Sequence, residues 1–233
     1  ASGRPIFLTN FHVTAEGGEI TVVFLAGSND VVAFDGTLLA SSPAMDMAAL
    51  ALTARDGADF RPREIPLALR EIEKGEQVIA LGYPASSDQV LGSDLNVALF
   101  ETTLTQGLVS KVFVAPWETQ TSNGSDVSVE IIQHTAAINH GNSGGPLLDE
   151  CGHVLGMNTA GVLEDNVFLA SSSRSLAVFL DDAGSEGDGS DGDLATEGVV
   201  GVADGHVEGL AQVFNRAALF CADLTILQHD FHF

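Results

Sequence analysis

The sequence predicts an all-β protein built from antiparallel barrels, on three observations. Short apolar runs recur at Ile20–Leu25, Val78–Leu81, Leu108–Val114, Val127–Ile132, Val154–Met157 and Val167–Ala170, each bounded by Gly, Ser, Asn or Asp, the rhythm of strands separated by turns. Helical periodicity is absent until Ser173–Leu180. The chain has 233 residues, 45% of them hydrophobic, enough for one large all-β domain or two small barrels sharing an interface.

Taken in order, the run Ile6-Phe7-Leu8-Thr9-Asn10-Phe11 reads as a strand whose end delivers the imidazole of His12. Asp46 then heads Met47-Ala48-Ala49-Leu50-Ala51-Leu52, a carboxylate in front of a strand apolar enough to be buried. Asp30 and Asp35 lie nearby as rival carboxylates, and Asp46 is preferred because it alone opens an apolar run.

The most informative stretch is Gly141-Asn142-Ser143-Gly144-Gly145-Pro146, set between Ile131–Ile138 and Leu147-Leu148-Asp149. It can present a serine hydroxyl beside glycine-flanked amides, as acyl transfer requires. Attack on a carbonyl builds negative charge on its oxygen, and preorganised N–H donors must be aimed at that point. A serine nucleophile also needs a histidine base and an orienting carboxylate, brought together by the fold rather than by proximity in sequence. His12, Asp46 and Ser143 are therefore the candidate triad, with the amides of Gly141 and Ser143 as oxyanion donors and Asn142 shaping the turn between them.

Beyond the helix at Ser173–Leu180, residues 181–193 alternate Asp, Gly, Ser and Glu and read as an acidic linker. Residues 194–233 form an extension, in which Val207, Leu210, Val213, Phe214, Ala217, Phe220 and Cys221 suit an amphipathic helix docked on the barrels. The carboxylate spacing of the linker does not match a calcium loop, and the terminal His229, Asp230 and His232 are read as incidental, so no metal site is expected.

Nine Lys and Arg oppose 32 Asp and Glu, a formal charge of −23 that repels phosphates and anionic lipid surfaces. Nucleic acid is thereby excluded as an expected partner, and no apolar stretch is long enough to suggest a membrane span. Cys151 and Cys221 are the only cysteines, so at most one disulfide can form within the chain. No basic and apolar leader precedes the first motif.

Three segments carry a resemblance: Thr9-Asn10-Phe11-His12-Val13, Asp46-Met47-Ala48-Ala49-Leu50, and Ala136 through Leu147 around Ser143. Together they resemble the trypsin-fold serine proteases of the Deg/HtrA type, whose chain order His, Asp, Ser they share. Lys74–Pro84, Thr105-Gln106-Gly107-Leu108-Val109-Ser110 and Gly152–Thr159 extend the likeness over residues 6 to about 180. The resemblance implies two antiparallel six-stranded β-barrels with a short C-terminal helix, together a protease domain of residues 1–180. With eleven residues ahead of His12, the first barrel is expected to be truncated at its N-terminus, and about 40 residues after the linker are too few for a complete PDZ domain.

The implied activity is that of a serine endopeptidase acting on unfolded or flexible polypeptides, in protein quality control, without a cofactor. The specificity residues would be Ala137, Ile138, Thr159, Ala160, Val167 and Phe168, which are small or apolar. Ala137 stands where trypsin-like enzymes that cleave after Lys or Arg carry an acid, so cleavage after small or aliphatic residues is expected. A periplasmic or secreted location and a homo-oligomer are further implications. Two other readings stay open: a secreted trypsin-like peptidase outside the Deg/HtrA branch, and a catalytically silent protease-fold protein that binds peptides.

Overall fold

A computed structural model of the chain describes residues 6–15, 18–24, 32–55, 64–83, 102–116, 127–162, 166–186 and 199–202. Two six-stranded units dominate it. The first contains β1 (Ile6–Thr9), β2 (Ile20–Phe24), β3 (Val32–Ser42), β4 (Met47–Ala54), β5 (Glu64–Ile65) and, from far along the chain, β12 (Val199–Val202). The second is a closed barrel of β6 (Gln77–Gly82), β7 (Thr103–Pro116), β8 (Ser128–His134), β9 (Pro146–Leu148), β10 (Val154–Val162) and β11 (Val167–Ser172). Closure removes the exposed strand edges of this second unit.

In the first unit the strands run in the order β2-β3-β4-β1-β12-β5. All its pairings are antiparallel except β1 with β12, where Ile6 lies opposite Val199 and Leu8 opposite Val202. The neighbour on the far side of β1 from β4 is thus supplied by the segment after the barrels. The amphipathic helix expected within residues 204–221, Cys221 and the terminal histidines lie outside the described residues.

Strand alternation explains how the two units share their surfaces. On β1, Phe7 joins Val22, Phe24, Phe34, Leu50 and Leu52 in the core of the first unit. Ile6 and Leu8 instead join Met47 and Ala49 in a larger core, with Ile79, Leu81, Leu148 and Met157 of the barrel. Successive side chains of a strand point to opposite faces, so β1 and β4 are each apolar on both sides. That is why Met47–Leu52 reads as an unbroken apolar run, and all six of its side chains are buried.

Helix α2 (Ser173–Glu186) follows β11 directly and runs beyond the predicted end at Leu180. It places Leu176, Phe179 and Leu180 in the shared core, the i, i+3, i+4 spacing of one helix face. Arg174 holds it to β8 through a two-pronged pair with Glu130, and Ser173 donates to the Ala68 carbonyl at 2.6 Å. Among the described residues no helix is long and apolar enough to cross a membrane.

Candidate active site

The predicted strand through Phe11 ends earlier, at Thr9, and the chain turns into the short helix α1 (Phe11–Thr14). His12 therefore sits on a helical turn just beyond β1, with about half of its side chain exposed. Asp46 closes the Pro43–Asp46 turn between β3 and β4, with φ at 55°. Left-handed backbone is uncommon outside glycine, and Asp and Asn tolerate it best. In that conformation the carboxylate, 2% exposed as a residue, turns back to α1.

The Asp46 carboxylate grips His12 with both oxygens. Oδ1 accepts from the His12 backbone N–H at 2.9 Å, and Oδ2 lies 2.8 Å from His12 Nδ1. This contact fixes the ring and leaves Nε2 as its other nitrogen. The Asp46 hydrogen bond, aided by the carboxylate's charge and opposed by partial burial, raises the imidazole above its ordinary value of 6.5. Of the rival carboxylates, Asp35 is bonded to Arg55 at 2.5 Å, and Asp30 lies outside the described residues.

Ser143 stands on the loop between β8 and β9, half-buried. Its neighbours Gly141 and Gly144 have φ of 98° and 82°, so the loop reverses through two left-handed glycines. Gly144 packs directly on Thr9 of β1, where a Cβ would collide with the threonine hydroxyl. The serine loop thereby rests three residues from His12 along β1 and α1. The Ser143 hydroxyl is turned to the Thr159 carbonyl at 3.4 Å, and no hydrogen bond joins it to His12.

The amides of the loop divide into two groups. Asn142 N–H donates to Asn139 at 3.0 Å, Gly144 N–H to Asn158 at 2.9 Å and Gly145 N–H to Asn142 at 2.8 Å. The amides of Gly141 and Ser143 have no backbone acceptor among the described residues. Asn142 itself is buried and holds the loop through its side chain, which accepts from Asn139 N–H at 3.1 Å.

This arrangement accompanies a match, over residues 1–157, to the model of the trypsin-like peptidase domain. The chain belongs to the trypsin-like peptidase family. It is 34% identical over 169 residues to the serine protease Do-like HtrA of Bacillus subtilis, covering 71% of this chain and 32% of the relative. With the mitochondrial serine protease HTRA2 of Bos taurus it shares 30% identity over 176 residues, 75% of this chain and 33% of that protein. The chain thus spans about a third of the length of these relatives. In fold it is similar to the active form of the Rv3671c protease from M. tuberculosis, with a TM-score of 0.57, 21% identity, and coverage of 87% of this chain and 74% of that one.

Within this trypsin-like peptidase domain the six predicted specificity residues fall into different settings. Ile138 and Phe168 are buried in one barrel core, whereas Ala137 and Ala160 are exposed. Thr159 is buried, its hydroxyl donating to the Met157 carbonyl at 3.0 Å, and Val167 is half-buried.

Two residues carry more than the sequence reading gave them. His134, at the end of β8, is fully buried beside the Phe168 ring, centroids 6.1 Å apart, and neither of its ring nitrogens reaches a hydrogen-bond partner. Burial pushes its imidazole down to about 4, the Ala136 backbone opposing the shift only in part. Asn10, immediately before α1, is also fully buried. Its place one residue ahead of a helix and two ahead of the candidate base was the available signal.

Proposed function

We propose that the chain is a serine endopeptidase domain in which His12 is the general base, Asp46 its orienting carboxylate and Ser143 the nucleophile. The observation that carries this reading is the 2.8 Å contact of His12 Nδ1 with a buried Asp46, beside a serine loop that packs on Thr9. Rotation about the Ser143 Cα–Cβ bond frees the hydroxyl from Thr159 and turns it to His12 Nε2. Hydrogen bonds of this kind are often unmade before substrate arrives.

His12 then takes the serine proton as Oγ attacks the peptide carbonyl, and the uncommitted amides of Gly141 and Ser143 receive the oxyanion. One such donor is typically worth about 3 kcal/mol of barrier. The imidazolium passes its proton to the leaving amine, and water repeats the sequence to release the acyl group. Asp46 holds the orientation of the ring throughout and stabilises the imidazolium.

Substrates in this reading are flexible polypeptides cut after small or aliphatic residues. The exposed, uncharged Ala137 supports it, since it offers no carboxylate to pair with a basic side chain. A role in protein quality control is part of this proposal and rests on the resemblance to the Deg/HtrA type alone. No cysteine among the described residues is a free thiol, which favours an oxidising, periplasmic or secreted setting. Cleavage of a peptide library tests the specificity: Ala, Val, Ile or Leu should dominate the position before the cut, and Arg or Lys there would overturn it.

A further inference from the structure

We infer that Asn10 is a positioning residue that holds the three segments of the proposed active site in register through its two amide protons. The inference rests on the catalytic reading above and adds a group to it. Asn10 occupies the N-cap position of α1, where an asparagine ordinarily turns its side-chain oxygen onto the helix amides. Here the backbone is extended, with φ −73° and ψ 149°, and the side chain makes no capping bond.

The carboxamide is spent elsewhere. Nδ2 donates to the Asp46 backbone carbonyl at 2.9 Å and to the Thr159 hydroxyl at 3.2 Å. The first bond ties the start of α1 to the left-handed residue whose carboxylate orients His12. The second ties it to the residue whose carbonyl holds the Ser143 hydroxyl. Thr159 Oγ can accept because its own proton goes to the Met157 carbonyl. One fully buried side chain thus spans the base, its carboxylate and the strand behind the nucleophile, across sequence separations of 36 and 149 residues.

The other end of the same side chain supports this assignment. Asn10 Oδ1 is buried with no hydrogen-bond partner, an arrangement that costs free energy. Flipping the amide would set that oxygen against the Asp46 carbonyl, another acceptor, so the orphaned acceptor is the consequence of using both donors. A residue retained only for packing would have no such requirement, and an unsatisfied buried group in a folded protein calls for an explanation.

The test compares Asn10→Ala and Asn10→Leu in the full chain by the NMR titration of the His12 ring and by kcat and KM on a peptide substrate. Leu has the branched heavy-atom shape of Asn but neither a donor nor a charge, so both variants should behave alike. The His12 midpoint should fall toward its ordinary value as Asp46 loosens, and kcat should drop about 100-fold, the scale of a small misplacement of reacting groups, with KM within threefold. Normal titration and kcat in either folded variant would overturn the inference. If both variants fail to fold, Thr159→Val, which removes one acceptor, carries the test: the same two changes in smaller measure support it, and unchanged values refute it. A parent without turnover whose His12 midpoint still falls in Asn10→Leu would sink the peptidase reading while leaving the positioning role standing.

Discussion

His134 should make this fold acid-sensitive by an amount that the structure sets. Its imidazole titrates near 6.5 when the chain is unfolded and is pushed down to about 4 in the fold. Between those values the unfolded chain binds the extra proton, so folding weakens as pH falls below 6.5. At about 1.4 kcal/mol per unit, the loss reaches about 3 kcal/mol by pH 4, a large part of the 5–15 kcal/mol or so typical of a domain. The chain also carries 32 Asp and Glu, residue types that ordinarily take up protons near the lower end of this range, so the effect must be isolated by substitution. His134→Leu removes the titrating group and the unpartnered nitrogens while keeping an apolar side chain against Phe168. Urea unfolding of both proteins from pH 7 to pH 4 should show the parent losing about 3 kcal/mol more than the variant. Parallel curves, differing by less than about 0.5 kcal/mol across the range, would refute the argument. His12 acts in the opposite sense. Its raised value stabilises the fold below 6.5, and that contribution is lost as pH rises through its folded midpoint.

Other consequences follow from the same geometry. Asp46→Asn should leave the fold intact, move the acidic limb of the kcat/KM profile to lower pH and reduce kcat about 10⁴-fold; a pH–rate profile unchanged from the parent would remove Asp46 from its role. Gly144→Ala forces a side chain into a φ of 82° and against Thr9, so it should cost at least 1–2 kcal/mol or so in thermal unfolding and slow turnover. Full activity in that variant would mean that the serine loop does not depend on this contact. Ending the chain after Glu186 removes β12 and uncovers the edge of β1. Amide exchange at Ile6–Thr9 should then quicken by about tenfold or more, and unaltered exchange would show that β12 does not protect β1.

Much of the second barrel was legible in the sequence because its strands are short apolar runs closed by turn residues. The serine loop was legible because left-handed turns demand glycine, and Gly141 and Gly144 meet that demand. The position of His12 was read less closely. Phe11 continues the apolar run in composition, but Asn10 diverts its side chain across the molecule and the strand ends at Thr9. β12 was missed for a different reason. Val199–Val202 is four residues long, has no alternating pattern and gains its place from pairing with β1 and β5, far off in sequence. Nothing local in the sequence marks His134 as buried, because its cover comes from β11, where Phe168 stands opposite it.

If His12, Asp46 and Ser143 form a working nucleophilic site, the serine must be covalently reactive. Covalent labelling with a fluorophosphonate, with the adduct mapped by mass spectrometry, tests it most directly. A single adduct on Ser143 is expected in the parent, and none at that position in Ser143→Ala or His12→Ala. A folded parent that takes up no label, or that carries it on another residue, would contradict the account.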